Sequence, residues 1–365
     1  MPYFPTTIKN IEKLIADISP ISYGRTRNYA NGAITYLGPY ISRGFISTKQ
    51  IYDHIRQSGH SWDISEKLIQ ELSWRDYWQQ IWIEKGDLIF SDIKQPQEDV
   101  IHKDIPLAIT NACTGINAVD KAIESLYTNG YMHNHMRMYV ASICCNIAKC
   151  HWAEPAKWLY YHLLDGDLAS NNLSWQWVSG SNAKKKYFAN QENINKYFFS
   201  KQRNTFLDLN YEALNKMPIP ERLKQVKPFD LNTSLKETEP VGLKKDVLTL
   251  VYNYYNIDPN WHKDKKAQRI LLIEPSKFQK HPISTKCLDF ITNLARKNIP
   301  NIKIFVCEFK ELLKKVNEEH IVFKEHPLNK EYRGYQDARQ WISSVKGYYP
   351  SFFQFWKKCK KEIKW

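Results

Sequence analysis

Gly130-Tyr-Met-His-Asn134-His-Met-Arg137-Met138, then Trp152, then Asp165-Gly-Asp167-Leu-Ala-Ser-Asn171-Asn-Leu-Ser-Trp175-Gln-Trp177 is the most specific stretch of this chain. Asp165 and Asp167, two residues apart, have a spacing that suits metal ligation. The amide and two indoles that follow suit a flat polar heterocycle better. Trp175 and Trp177 also read as ordinary core residues, the usual place of a tryptophan.

Around this stretch the periodicity is helical. Lys9–Ile18, Ser47–Arg56, Ser65–Trp82, Gly115–Thr128 and Met136–Cys150 carry apolar residues at i, i+3, i+4 and i+7. Ser47 suits an N-cap, and Pro155 opens a further helix toward Leu164. Strand-like alternation is nearly absent before residue 240. Polar, charged Thr233–Lys245 reads as a linker. Beyond it Arg269–Glu274, Ile302–Cys307 and Ile321–Phe323 read as strands. A helix at Ser284–Arg296 lies among them, so a small parallel α/β layer is expected. Phe352–Lys364 reads as a basic aromatic helix. The expected architecture is mainly α: a helical domain over 1–230, a linker over 231–245 and a small α/β domain over 246–365.

The composition bounds the function. The 365 residues carry 52 Lys and Arg against 38 Asp and Glu, a net charge of +14. That fits a polyanionic partner such as nucleic acid, and equally lysine used for solubility. The aromatic load of 12 Trp, 22 Tyr and 16 Phe suits either a heavily packed helical core or surfaces that stack on flat rings. Seven cysteines without a Cys-x-x-Cys argue against a disulfide framework or a zinc ribbon. Cys144, Cys145 and Cys150 fall in an apolar helical pattern and read as small buried hydrophobes, with an iron–sulfur site the poorer alternative. No basic start leads into an apolar run, and no stretch approaches the ~20 apolar residues of a membrane span. A soluble, cytoplasmic, monomeric protein is expected.

Two further clusters precede the first. Ser22-Tyr-Gly-Arg-Thr-Arg-Asn28 with Thr35-Tyr-Leu-Gly-Pro-Tyr-Ile-Ser-Arg-Gly44 is rich in hydroxyls, glycine and arginine before a helix. It reads as a plain polar loop or as a phosphate-holding one. Glu71-Leu-Ser-Trp74-Arg75-Asp-Tyr-Trp78 puts an acid, two indoles and a guanidinium on one helix face. Alone, it also reads as an amphipathic helix with core tryptophans.

Together the three clusters, over roughly residues 20 to 200, resemble the FAD-binding domain of class I cyclobutane-dimer photolyases and their cryptochrome relatives. The resemblance implies an all-helical domain holding FAD in a folded form. Tyr23, Thr35, Leu37 and Gly38 match contacts to its phosphates and ribityl chain. Arg75 matches an arginine beside it, and Arg137 with Asp165 an ion pair against the ring system. Asp167 matches a carboxylate near the ring, and Asn171 the amide facing flavin N5. Glu71, Trp74, Asn134, Met138 and Trp177 match the pocket for a flipped-out pyrimidine dimer, with Asn134 also near the cofactor. Asn134 and Met138 stand where relatives acting on (6-4) photoproducts have histidine, and Asn171 where plant cryptochromes usually have Asp. The first difference favours the cyclobutane dimer, and the second favours the repair enzymes.

Trp175 and Trp152 match the first two members of an electron-transfer chain. The third position falls near Asp99, which cannot serve. His135 stands where arginine is usual. Family members normally begin with an antenna-binding α/β domain; here the α/β segment follows the flavin domain. Ile273–Phe278 to Ile304–Val306 is similar to a strand–helix–strand unit of some antenna domains, so a relocated domain without an antenna chromophore is expected. The expected activity is that of a deoxyribodipyrimidine photo-lyase on dimer-containing DNA. The alternative is a cryptochrome-like blue-light sensor.

Overall fold

The computed structural model describes residues 4–235 and 242–363. Residues 236–241 of the expected linker and Lys364 of the expected tail helix lie outside these. The chain packs as two compact units. One comprises Ile21–Ile34 and Glu84–Leu231; the other comprises Phe4–Pro20, Thr35–Ile83 and the described part of 232–365. The longer helices are, in chain order, α1 Thr48–Gln57, α2 Trp62–Lys85, α3 Asn117–Asn129, α4 Asn134–Ser142, α5 Ala153–His162, α6 Leu168–Ser179, α7 Thr285–Asn298 and α8 Phe352–Glu362. The fold is mainly helical, with a parallel sheet in the C-terminal part.

The first unit is helical around an aromatic core that includes Tyr139, Trp152, Trp158 and Trp175. Its helix ends are set by local chemistry. Asp167 caps α6 by accepting from the Ser170 N–H at 2.8 Å. Gly130 ends α3 at φ 68°, and its carbonyl accepts from Leu164 N–H at 2.9 Å. A Cβ there would lie 2.6 Å from Leu164 Cγ, so both conformation and space require glycine. The single helix expected over Met136–Cys150 is interrupted. α4 ends at Ser142, a π turn occupies Ile143–Ile147, and Cys150 bridges to His102. Such wide turns insert into helical runs without disturbing the apolar pattern. Cys144, Cys145 and Cys150 are all buried, and burial pushes the Cys150 thiol up to about 12.

In the second unit a capping box starts α1: Ser47 Oγ accepts from the Gln50 N–H, and Gln50 Oε1 accepts from the Ser47 N–H. Its sheet comprises β1 Thr249–Tyr252, β2 Gln268–Ile273, β3 Lys303–Val306, β4 Ile321–Lys324 and β5 Tyr335–Asp337. All are parallel, in the order β3-β2-β1-β4-β5. That is a doubly wound arrangement whose order reverses between β1 and β4. Ligands commonly enter such sheets at the carboxyl ends beside the reversal. Here Arg43, fully buried, lies there with its guanidinium carbon 3.7 Å from the Tyr254 ring centre. The ring of His326, just past β4, stacks on Tyr255 at 4.3 Å. Gly44, at φ 60°, would place a Cβ 2.3 Å from the Tyr255 carbonyl oxygen, so the chain approaches the sheet as closely as glycine permits.

Candidate functional site

The residues singled out by the sequence fall in both units. Tyr23, Asn134, Arg137, Met138, Trp152, Asp165, Asp167, Asn171, Trp175 and Trp177 belong to the first. Thr35, Leu37, Gly38, Glu71, Trp74 and Arg75 belong to the second.

In the first unit Arg137, on α4, reaches the loop after α5. Its Nη2 donates to both oxygens of Asp165 at 3.0 Å, and its Nε donates to the Met132 carbonyl at 2.8 Å. Three charge-assisted or backbone bonds hold one guanidinium in a single pose. Asp167 is buried at the head of α6. Asn171, one turn on, donates through Nδ2 to the Ala156 carbonyl at 2.9 Å and to Asn172 Oδ1 at 3.2 Å. Both amide hydrogens face acceptors within the protein, so what Asn171 offers a ligand is its oxygen, an acceptor. Ser170 Oγ is buried with no hydrogen-bond partner among the described residues.

Trp152 and Trp175 share the buried core. Trp177 is 38% exposed, beside the Tyr187 ring at 5.7 Å. Asn134 is exposed at the start of α4, and Met138 is half-buried one turn later. The Arg27 guanidinium lies 6.0 Å from the Tyr23 ring. His135 supplies no stand-in for an arginine charge: its ring packs on Tyr139 and Tyr197, and burial lowers its pKa. Burial likewise brings His133 down to about 4.

In the second unit Arg75 donates to Ser42 Oγ, and Thr35 Oγ1 accepts from the Leu37 N–H at 3.4 Å. Gly38 opens the short helix Gly38–Ser42. Glu71 pairs with Lys67 at 2.9 Å. Trp74 is half-buried, with Phe352 stacked on it and Trp78 beside it at 5.2 Å. Phe352 was not legible as part of this arrangement, because it lies far along the chain with no motif around it.

Asp99 is exposed, bonded to Lys186 at 2.5 Å with Lys149 at 3.9 Å. The Lys186 contact holds its carboxyl below the usual range. The donor set of the first unit fits a flavin ring: a fixed guanidinium–carboxylate pair, an oriented amide oxygen and an orphaned buried hydroxyl meet a flat heterocycle edged with N–H and carbonyl groups. Among the described residues no group of His, Cys, Asp and Glu is arranged to hold a metal ion.

Residues 68–209 match the family model described as the FAD binding domain of DNA photolyase. Over this stretch the chain is similar to the photolyase/cryptochrome family. Among similar proteins, the deoxyribodipyrimidine photo-lyase of Streptomyces griseus is 32% identical over 154 residues, 42% of this chain and 33% of that protein. The one from Synechococcus is 30% identical over 188 residues, 47% of this chain and 36% of that protein. The chain thus spans about a third of the length of these photo-lyases. The crystal structure of a Synechocystis cryptochrome matches with a TM-score of 0.49 at 24% identity, over 54% of this chain and 44% of that one. No helix among the described residues is long and apolar enough to cross a membrane.

Proposed function

We propose that this protein repairs cyclobutane pyrimidine dimers in DNA by light-driven electron transfer. The observation that carries the reading is Asn171, whose Nδ2 donates to two acceptors within the protein, so that its oxygen is the group it offers a ligand. An acceptor there suits a protonated flavin N5, the form present in reduced flavin, which is the state repair requires. The chemistry a bound FAD supplies is absorption of blue light and reversible one-electron donation to the dimer. The protein's residues bind and orient. Arg137, Asp165 and Asp167 fix the ring system, while Tyr23, Thr35, Leu37, Gly38 and Arg75 hold the rest of the cofactor. By the resemblance, Trp74, Trp177 and Met138 are apolar contacts of the dimer, and Glu71 and Asn134 hydrogen-bond its bases. Damaged pairs unstack at lower cost than intact ones, which adds selectivity. The net positive charge suits a phosphate-binding rim, so affinity for DNA should fall steeply with salt. We further propose that no antenna chromophore is bound, since Arg43 occupies the reversal point of the sheet.

The experiment is direct: load the protein with FAD, reduce it, add a dimer-containing oligonucleotide and illuminate with blue light. Dimer loss is expected; intact dimers in a sample with flavin bound would remove the repair reading. A second reading, a light sensor without repair, draws on Trp74, one of whose faces is taken by Phe352. Under it, DNA with and without a dimer would bind equally weakly, and Trp177→Ala would change neither.

A further inference from the structure

The expected electron chain lacks its third tryptophan, and Asp99, at that position, is an exposed, ion-paired carboxylate. The structure puts a different group on the second member. Trp152 Nε1 donates to Asp92 Oδ1 at 2.7 Å. An indole nitrogen is only a donor, so the direction of this bond is fixed, and its length is that of a bond to a charged acceptor. Asp92 is itself held in place. Its Oδ2 accepts from the Gln97 N–H at 2.9 Å. Gln97 in turn accepts from the Trp152 backbone N–H at 2.9 Å and donates to the Cys150 carbonyl at 2.8 Å. The neighbouring Ile93 N–H donates to Gln176 on α6 at 3.1 Å. Trp152 is buried, whereas the Asp92 side chain is 21% exposed, with His151 Nε2 at 3.6 Å from the same oxygen. The carboxylate therefore joins a buried indole to solvent.

We propose that Asp92 is the proton acceptor of Trp152, trapping the separated charge where the family would use a third tryptophan. The inference rests on the reading that Trp175 and Trp152 pass electrons to bound FAD. Trp152 gives one electron to oxidised Trp175 and becomes a radical cation. Its Nε1–H bond then breaks, the proton goes to Asp92 Oδ1, and a neutral indolyl radical remains. With the proton gone, return of the electron is slowed. A soluble thiol later supplies one electron, the proton returns from Asp92, and the thiol leaves as a thiyl radical with its own proton released to water. A distance of 2.7 Å lies within the reach of direct transfer. Asp92 is a positioning and proton-accepting residue, in contact with neither dimer nor cofactor in this assignment.

The test is flash spectroscopy of flavin-loaded protein in the oxidised state, which distinguishes cationic from neutral tryptophan radicals. In the wild type a neutral radical should form at a rate independent of buffer concentration, because the base is built in. Asp92→Asn should leave the radical cationic and speed its recombination by about ten-fold or more, and Asp92→Glu should restore part of the neutral signal. Nitrogen-15 spectra of the apo protein give a readout free of flavin. The Trp152 indole N–H, assigned by its loss in Trp152→Phe, should be shifted downfield and should move upfield in Asp92→Asn. A deprotonation rate proportional to buffer base, or an unchanged radical in Asp92→Asn, overturns the proposal alone. A flavin-loaded wild type that forms no tryptophan radical overturns the electron-chain reading and the proposal with it.

Discussion

Phe352 lies flat on Trp74, ring centroids 3.8 Å apart and planes 11° from parallel. Trp356 continues the stack at 6.2 Å and Trp62 lies 6.2 Å beyond it, so four rings from α2 and α8 form one column. Phe352 is buried, and its truncation leaves a cavity behind Trp74. Phe352→Ala should cost about 3–5 kcal/mol of unfolding free energy, with Phe352→Leu well below that. Urea titration followed by tryptophan fluorescence measures both.

The Arg137–Asp165 pair offers a second check. Removing the guanidinium deletes two bonds to a carboxylate, each worth about 1.5–3 kcal/mol. Arg137→Leu should weaken FAD retention about 10- to 100-fold or more, while Lys67→Ala, removing an exposed partner of Glu71, should leave it unchanged. Equilibrium dialysis against free FAD reads the difference.

Asp76 gives a pH signature. It is buried on α2, accepting from Thr48 Oγ1 at 2.8 Å and the Ile342 N–H at 3.1 Å. Burial raises its pKa to about 6. The folded state therefore holds the proton to higher pH than the unfolded chain does. Its contribution to stability is greatest below pH ~4 and declines as pH rises to ~6, by about 3 kcal/mol in all. Denaturation of wild type and Asp76→Asn at pH 4 to 8 should show the stability difference moving against the wild type over that interval and flat above it.

Gly130→Ala tests the α3 ending. Positive φ and the approach to Leu164 together should cost about 2–4 kcal/mol, whereas Gly59→Ala, at φ 74° with open space around it, should cost only the conformational part. Thermal melts of the two variants separate strain from crowding.

The helical frame could be read because its signals are local. Ser47 caps α1, Pro155 lies in the first turn of α5, and the strands at 268–273, 303–306 and 321–324 are compact apolar runs between polar breaks. What escaped depends on distance. β1 is four buried residues running into Asn253-Tyr-Tyr-Asn256, without the alternation that marks a strand. β5, Tyr335-Gln-Asp337, is a polar edge that only its pairing with β4 defines. Trp152 and Arg137 stood out by type and spacing. Asp92 did not, because its bond to Trp152 spans 60 residues and an aspartate in a polar loop carries no mark of its partner. The π turn at Ile143–Ile147 also left no trace, since it shifts the backbone bonding while leaving the residues apolar.

Arg43 works as a dowel between distant lengths of chain. It is inserted from the segment before α1 into rings carried by the sheet, and its carbonyl accepts from the Ile257 N–H at 3.0 Å. A fragment begun after the linker would keep every strand yet leave that socket bare, with tyrosine faces turned to water. Cutting the gene at its most obvious seam should therefore yield an insoluble piece, and a permuted gene that keeps residues 35–83 joined to the sheet should be the better way to prepare it.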